Sequence, residues 1–138
     1  MTPPVNGIIE TALHVESVPR AMAFYDRLFG FTKLVHDDRF CAYDVGGRSV
    51  FLLFKKGGTL DPVPTPGGMI PPHDGDGRMH MAFAIPKGSL EEWAARLGEC
   101  GVAIESTVKW PEGGASLYFR DPDGHSIELA TPGIWPNY

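Results

Sequence analysis

The sequence predicts an α+β fold in which two tandem βαβββ units build a curved mixed-sheet cup. Three observations predict it. The order strand, helix, strand, strand, strand occurs twice along the 138 residues. The segment "DVGGRSVFL" at 44–52 aligns with "DPDGHSIEL" at 121–129 without a gap. In three of the strands one face is bulky and apolar, while the other carries small residues and one histidine or glutamate.

In chain order, "GIIETALHV" at 7–15 reads as a strand, and "SVPRAMAFYDRLFG" reads as a helix. Ser17 can cap that helix, Pro19 fits its first turn and Gly30 ends it. Ala21, Phe24, Tyr25, Leu28 and Phe29 form its apolar stripe. "FTKLV", "FCAYDV" and "SVFLLF" are the three strands that close unit one, about 7–56. Residues 57–78 hold five prolines and six glycines, so regular structure is not expected there. A connection that long serves as a linker, a lid over a pocket, or both. Unit two, about 79–131, repeats the order: the strand "RMHMAFAI", the helix "SLEEWAARLGECG" with Ser89 and Glu92 spaced as a capping box, then "AIESTVKW", "SLYFRD" and "SIELAT". The "DPDG" between the last two is a tight turn, with proline presetting the backbone and glycine supplying a positive φ. Together the units make one domain, 1–138.

The composition is that of a globular protein, with 43% hydrophobic and 21% charged residues. A net charge of -5 speaks against nucleic acid and anionic membranes as partners. Cys41 and Cys100 match neither a disulfide framework nor a zinc pattern and read as small buried thiols. "MTPPVNG" has no basic region and no apolar run, so no signal peptide is expected, and no stretch approaches a membrane span. The expectation is a cytoplasmic protein.

Alternation sorts the strand faces. Ala12 shares a face with His14, His80 shares one with Ala82 and Ala84, and Glu128 shares one with Ser126 and Ala130. Small neighbours leave open space around each polar side chain. A lone histidine on a strand is ordinarily a satisfied core residue. Three such residues at equivalent points of a repeat instead suggest a facial triad, His14, His80 and Glu128, holding one divalent metal ion with open positions. Such a donor set suits Fe, Mn, Ni, Co or Zn and does not choose among them.

The chain resembles the vicinal oxygen chelate superfamily of glyoxalase I, bleomycin-resistance proteins, fosfomycin-resistance enzymes and extradiol dioxygenases. The resemblance rests on the repeat itself, "LHV", "VPRAMAFYDRLFGF", "HMAFAI" and "LYFRDPDGHSIEL". It implies the glyoxalase/bleomycin resistance/dioxygenase fold and carries the family's ligand positions to His14, His80 and Glu128. The internal alignment places Phe51 opposite Glu128, where glyoxalase-like enzymes usually have a carboxylate or amide. Phe51 therefore reads as a substrate-contacting residue rather than a ligand. Tyr118, ten residues before Glu128, resembles the active-site tyrosine of extradiol dioxygenases and is the catalytic candidate. His73, in the Pro/Gly-rich connection, can reach over the pocket and contact substrate.

Two function classes follow. One is a divalent-metal-dependent enzyme, of dioxygenase, lyase or isomerase type, that chelates vicinal oxygens of a small molecule. The alternative is a metal-free small-molecule binding protein of the bleomycin-resistance type. The resemblance also implies a homodimer whose sites form within one chain or across two.

Overall fold

The computed structural model describes residues 1–138 as two compact units, Met1–Asp76 and Gly77–Tyr138. Unit one contains β1 (Glu10–Val15), α1 (Val18–Phe29), β2 (Lys33–His36), β3 (Phe40–Val45) and β4 (Ser49–Lys55). A short hairpin of β5 (Val63–Thr65) and β6 (Gly68–Ile70) follows. Unit two contains β7 (His80–Ala84), α2 (Leu90–Glu99), β8 (Ser106–Lys109), β9 (Ala115–Arg120) and β10 (Ser126–Ala130). The strand order is β1-β4-β3-β2 in the first sheet and β7-β10-β9-β8 in the second, so the predicted repeat is present in topology as well as in pattern. In each unit the first and last strands pair in parallel and the remaining pairs are antiparallel. No helix is long and apolar enough to cross a membrane.

Each helix covers one face of its own sheet. In unit one, α1 packs on β3 and β4. Val18, Ala21, Tyr25 and Leu28 are its buried stripe, against a core that includes Leu13, Tyr43, Phe51 and Leu53. Ser17 caps it as expected, its Oγ accepting from the Arg20 N–H at 3.2 Å, and Gly30 closes it with φ 65°. In unit two, α2 packs on β9, with Leu97 buried. Here the capping box does not form. The Ser89 hydroxyl donates to the Pro86 carbonyl at 2.7 Å, and its ψ of 3° is not the extended value an N-cap needs.

The connection also departs from expectation, because residues 63–70 form a hairpin. Its strands tolerate proline because a two-stranded ribbon leaves half of the backbone N–H groups without a ladder partner. Neither cysteine forms a disulfide; Cys41 is buried and Cys100 half-buried.

Candidate functional site

Unit two builds a polar cluster on the face its helix leaves open. Register places Glu128 of β10 beside Ala82 of β7 and Tyr118 of β9, with Ser126 beside His80. His80, Glu128, Ser116 and Tyr118 therefore share one face, while Phe83, Leu117, Phe119, Ile127 and Leu129 point the other way into the core. Glu128 is 7% exposed. A carboxylate taken out of water requires compensation, and the Ser116 hydroxyl supplies a hydrogen bond. Ser116 donates its hydroxyl to Glu128 Oε2 at 2.6 Å, and His80 Nε2 lies 3.4 Å from Oε1. Ser116 in turn accepts from Trp110 Nε1 at 2.9 Å.

The histidine is oriented as well. His80 Nδ1 lies 2.9 Å from the Ser126 carbonyl, which can only accept, so Nδ1 carries the proton and the lone pair of the neutral ring sits on Nε2. That lone pair and Oε1 of Glu128 face the same space. An imidazole whose outer nitrogen is held by a carbonyl, beside a carboxylate whose outer oxygen is held by a hydroxyl, is a donor pair suited to a divalent cation. Tyr118 stacks over His80 with ring centroids 6.3 Å apart. Burial first, then the charge and hydrogen bond of Glu128, hold its phenol above the usual tyrosine value, so it stays protonated near neutrality and can donate.

Unit one places its candidates differently. His14 is buried on β1, with Phe54 stacked at 5.8 Å and His73 edge-on at 5.4 Å. His73 is fixed by its backbone: its N–H donates to the Thr59 carbonyl at 2.9 Å, and the Thr59 hydroxyl donates to its carbonyl at 2.6 Å. The returning connection then passes so close to His14 that a Cβ added at Gly75 would lie 2.8 Å from Cε1 of the ring. An ion pair of Lys56 with Asp76, at 3.3 Å, ties down its end. On the same sheet face a cavity of about 620 Å³ is lined by Glu10, Ala12, Arg39, Phe40, Leu52 and Phe54, with His73 and hairpin residues at its side.

The expected placement of Phe51 is corrected. It is 1% exposed and meets Tyr25 of α1 edge-on at 4.9 Å, on the helix-covered face. Leu52 is the residue that faces the cavity. The gap-free match of 44–52 with 121–129 is out by one, and a one-residue slip turns every side chain to the other face. Similar turn chemistry misled it: Asp44 Oδ1 accepts from the Gly47 N–H, and Asp121 Oδ1 from the Asp123 and His125 N–H groups, at positions offset by one.

The structure thus brings His80, Glu128 and Tyr118 together in unit two, and His14 and His73 together in unit one. No group of three or more His, Cys, Asp or Glu side chains in the chain is spaced to hold a metal ion. Sequence reasoning missed the anchors. The face of Ser116 was legible from alternation, but the bond from Trp110 was not. Nor was the role of His125, which is fully buried and accepts the Met79 N–H at 2.8 Å, fixing the backbone just before His80.

Comparison with known proteins extends this reading. The Glyoxalase/Bleomycin resistance protein/Dioxygenase superfamily profile matches residues 7–129. The chain is 30% identical over 135 residues to metallothiol transferase FosB of Shouchella clausii, covering 92% of this chain and 81% of that protein. It is 29% identical over 121 residues to catechol-2,3-dioxygenase of Bacillus subtilis, covering 85% of this chain and 38% of that one. Among solved structures, lactoylglutathione lyase from Agrobacterium tumefaciens superposes with a TM-score of 0.87 at 29% identity, covering 97% of this chain and 99% of that one.

Proposed function

We propose that this chain, which belongs to the Glyoxalase/Bleomycin resistance protein/Dioxygenase superfamily, is a divalent-metal-dependent enzyme acting on vicinal oxygens of a small molecule. The observation that carries the proposal is the oriented pair of His80 Nε2 and Glu128 Oε1 at 3.4 Å, each held from behind by a group that fixes its direction. His80 and Glu128 are two of the metal ligands. The third comes from β1, where Glu10, Ala12 and His14 share a face. When bound, the ion supplies Lewis acidity to two neighbouring substrate oxygens.

The chain's own groups do the rest. Ser116, itself held by Trp110, keeps Glu128 aimed. Tyr118 holds a proton beside Glu128 and donates it, or a hydrogen bond, to substrate oxygen. The cavity in unit one is of a size that suits a small organic ligand, with Phe40 and Phe54 for its apolar part and Arg39 for an anionic group. His73 contacts substrate from the connection. Relatives named as metallothiol transferases and a lactoylglutathione lyase make thiol-dependent reactions the first to assay, and the catechol dioxygenase makes catechols the second. The protein works as a homodimer in the cytoplasm.

The test is elemental analysis and thermal melting of protein purified without chelator. One ion per chain is expected, with a melting temperature that falls on chelation, because saturation at a thousandfold the dissociation constant contributes about 4 kcal/mol. His80→Ala should lose most of that difference. A wild-type protein that takes up no ion at full supply would sink the enzyme reading and favour the metal-free binding protein.

A further inference from the structure

We infer that His125 is a positioning residue for His80, acting through the Met79 backbone, and that the DPDG turn before it serves to hold it there. The inference rests on the proposed role of His80 and adds the group that fixes it from behind. His125 is fully buried immediately before β10, out of a ligand's reach. Its Nδ1 lies 2.8 Å from the Met79 nitrogen. A backbone N–H can only donate, so Nδ1 carries the lone pair and the ring proton sits on Nε2. The Ser126 N–H donates to the Met79 carbonyl at 2.8 Å. Both polar groups of Met79 are therefore claimed by two consecutive residues, one through its side chain and one through its backbone. The Ser126 carbonyl in turn accepts from His80 Nδ1 at 2.9 Å. The bonds run from one histidine to the other: His125 sets Met79, Met79 sets where His80 leaves the backbone, and Ser126 takes the His80 ring proton.

Met79 needs such an anchor because of where it stands. It precedes β7 and follows Gly77, with φ 80°, at the end of the Pro/Gly-rich connection. The parallel pairing of β7 with β10 begins at His80 and Ser126. One further ladder bond would take the Met79 N–H to the Gly124 carbonyl. Gly124 is instead turned to φ 81°, and its carbonyl accepts from Arg120 Nη1 at 3.0 Å. The His125 ring replaces the missing bond. The turn delivers that ring. Asp121 Oδ1 accepts the Asp123 and His125 N–H groups, each at 3.0 Å, and the Asp121 carbonyl accepts the Gly124 N–H at 2.9 Å. Gly124 also lets the stem of Arg78 pass, since a Cβ there would lie 3.0 Å from the Arg78 Cδ. The entry to β7 is thus held at two successive residues, Arg78 by packing and Met79 by a hydrogen bond.

His80 depends on this support. Its side chain is 54% exposed, with Tyr118 stacked at 6.3 Å, so packing alone does not fix the ring. It presents the Nε2 lone pair to the open face only while Nδ1 keeps its proton on the Ser126 carbonyl. That bond holds only if the backbone at residues 79 and 80 stays in register with Ser126. Two substitutions separate positioning from mere filling of space. A histidine that only filled space is replaced best by leucine, which has similar bulk and no acceptor. A positioning histidine is replaced best by asparagine, whose Oδ1 stands two bonds from Cβ, as Nδ1 does, and accepts the same N–H.

The test is NMR of metal-free, full-length, isotope-labelled protein at pH ~8, above the ordinary imidazole value of about 6.5. Wild type should show a through-hydrogen-bond nitrogen–nitrogen coupling between Met79 N and His125 Nδ1, and a His80 ring protonated on Nδ1. His125→Asn should keep that His80 tautomer and His125→Leu should lose it to a mixture, with fold checked by circular dichroism. The same order should appear in affinity for Mn(II) and Zn(II) by calorimetry. His125→Leu should bind ~10–100-fold more weakly, the range for groups that orient a ligand, and His125→Asn near wild type. The inference is overturned if wild type lacks the Met79–His125 coupling, if folded His125→Leu keeps His80 on the Nδ1 tautomer, or if His125→Asn fares no better than His125→Leu. The wild-type coupling and His125→Asn decide the matter if His125→Leu does not fold. If wild type takes up neither ion, the metal reading fails, while the tautomer comparison still decides the role of His125.

Discussion

At the scale of single residues, one position along a strand decides the chemistry available. Phe51 and Leu52 are adjacent, yet one belongs to the core and the other to the cavity wall. Phe51 lies between Tyr25 and Tyr43, at centroid distances of 4.9 and 6.0 Å. Phe51→Ala should therefore cost about 3–5 kcal/mol of unfolding free energy by chemical denaturation. It should leave metal affinity in the surviving folded fraction unchanged; loss of affinity without loss of stability would return Phe51 to the site. Tyr118 is the converse case, because it stands beside Glu128 in the ladder, and the sequence offered it through the family resemblance. Tyr118→Phe should keep metal and fold while turnover on an identified substrate falls by about a hundredfold or more, and unchanged turnover would leave Tyr118 a packing residue. What the sequence did not disclose at this scale was hydrogen-bond partnership. Trp110 stands six residues before Ser116, and only the turn between them lets its N–H reach the hydroxyl.

At the scale of elements, the repeat was legible because its strands and helices carry strong periodic patterns, and their order was recovered in full. The connection was not, because proline and glycine suppress the local signals from which strands are read. Its path is fixed by contacts distant in sequence: Thr59 with His73, Lys56 with Asp76, and Gly75 against His14. Gly75 is where this can be checked. Its φ is not in the left-handed region, so alanine strains nothing in its own backbone. What alanine meets is the His14 ring. Gly75→Ala should destabilise unit one by roughly 1–3 kcal/mol, the usual cost of overpacking. His14→Ala in the same chain should relieve much of it, a non-additivity visible in a double-mutant cycle. Additive effects would show that the connection does not rest on His14. The misread capping box has a similar origin, since the letters S and E stood at the right spacing while a nearer carbonyl, that of Pro86, had already claimed the serine.

At the scale of the whole molecule, two properties depend on groups far apart in the chain. The first is behaviour in alkali. Tyr43 is fully buried in unit one, donating its hydroxyl to Asp26 at 2.8 Å, with Lys33 paired to the same carboxylate and Cys41 close by. Burial above all, then the bond to Asp26 and the negative charge beside it, hold its phenol far above the ordinary value of about 10. Above that pH the unfolded chain releases a proton that the folded chain keeps. The stability tied to Tyr43 is therefore complete below pH ~10 and is lost as pH rises beyond it, at about 1.4 kcal/mol per pH unit. Tyr43→Phe should start less stable by about 1 kcal/mol for the lost hydrogen bond, but should fall less steeply between pH 10 and 11.5. An equally steep fall would mean that some other group carries the alkaline transition.

The second property is assembly. Each four-stranded sheet ends in two unpaired edges, β1 and β2 in unit one and β7 and β8 in unit two. Free edges of this kind are ordinarily covered or paired. The face of unit two that its helix leaves uncovered is also open, with His80, Ala82 and Ala84 exposed. A homodimer that pairs unit one of each copy with unit two of the other would cover these surfaces and draw each metal site from two chains. Mixing two inactive variants tests this. A Glu10→Gln/His14→Asn double variant damages only the unit-one half of the proposed site, and His80→Ala only the unit-two half. After full subunit exchange, half of the dimers are mixed. If sites cross between chains, each mixed dimer regains one intact site of its two, so metal binding should recover to about a quarter of the wild-type level. If each site is built within one chain, every site carries a damaged half and nothing is recovered. Exchange is verified independently by mass-tagging one variant, so that zero recovery in a fully exchanged sample overturns the crossed arrangement.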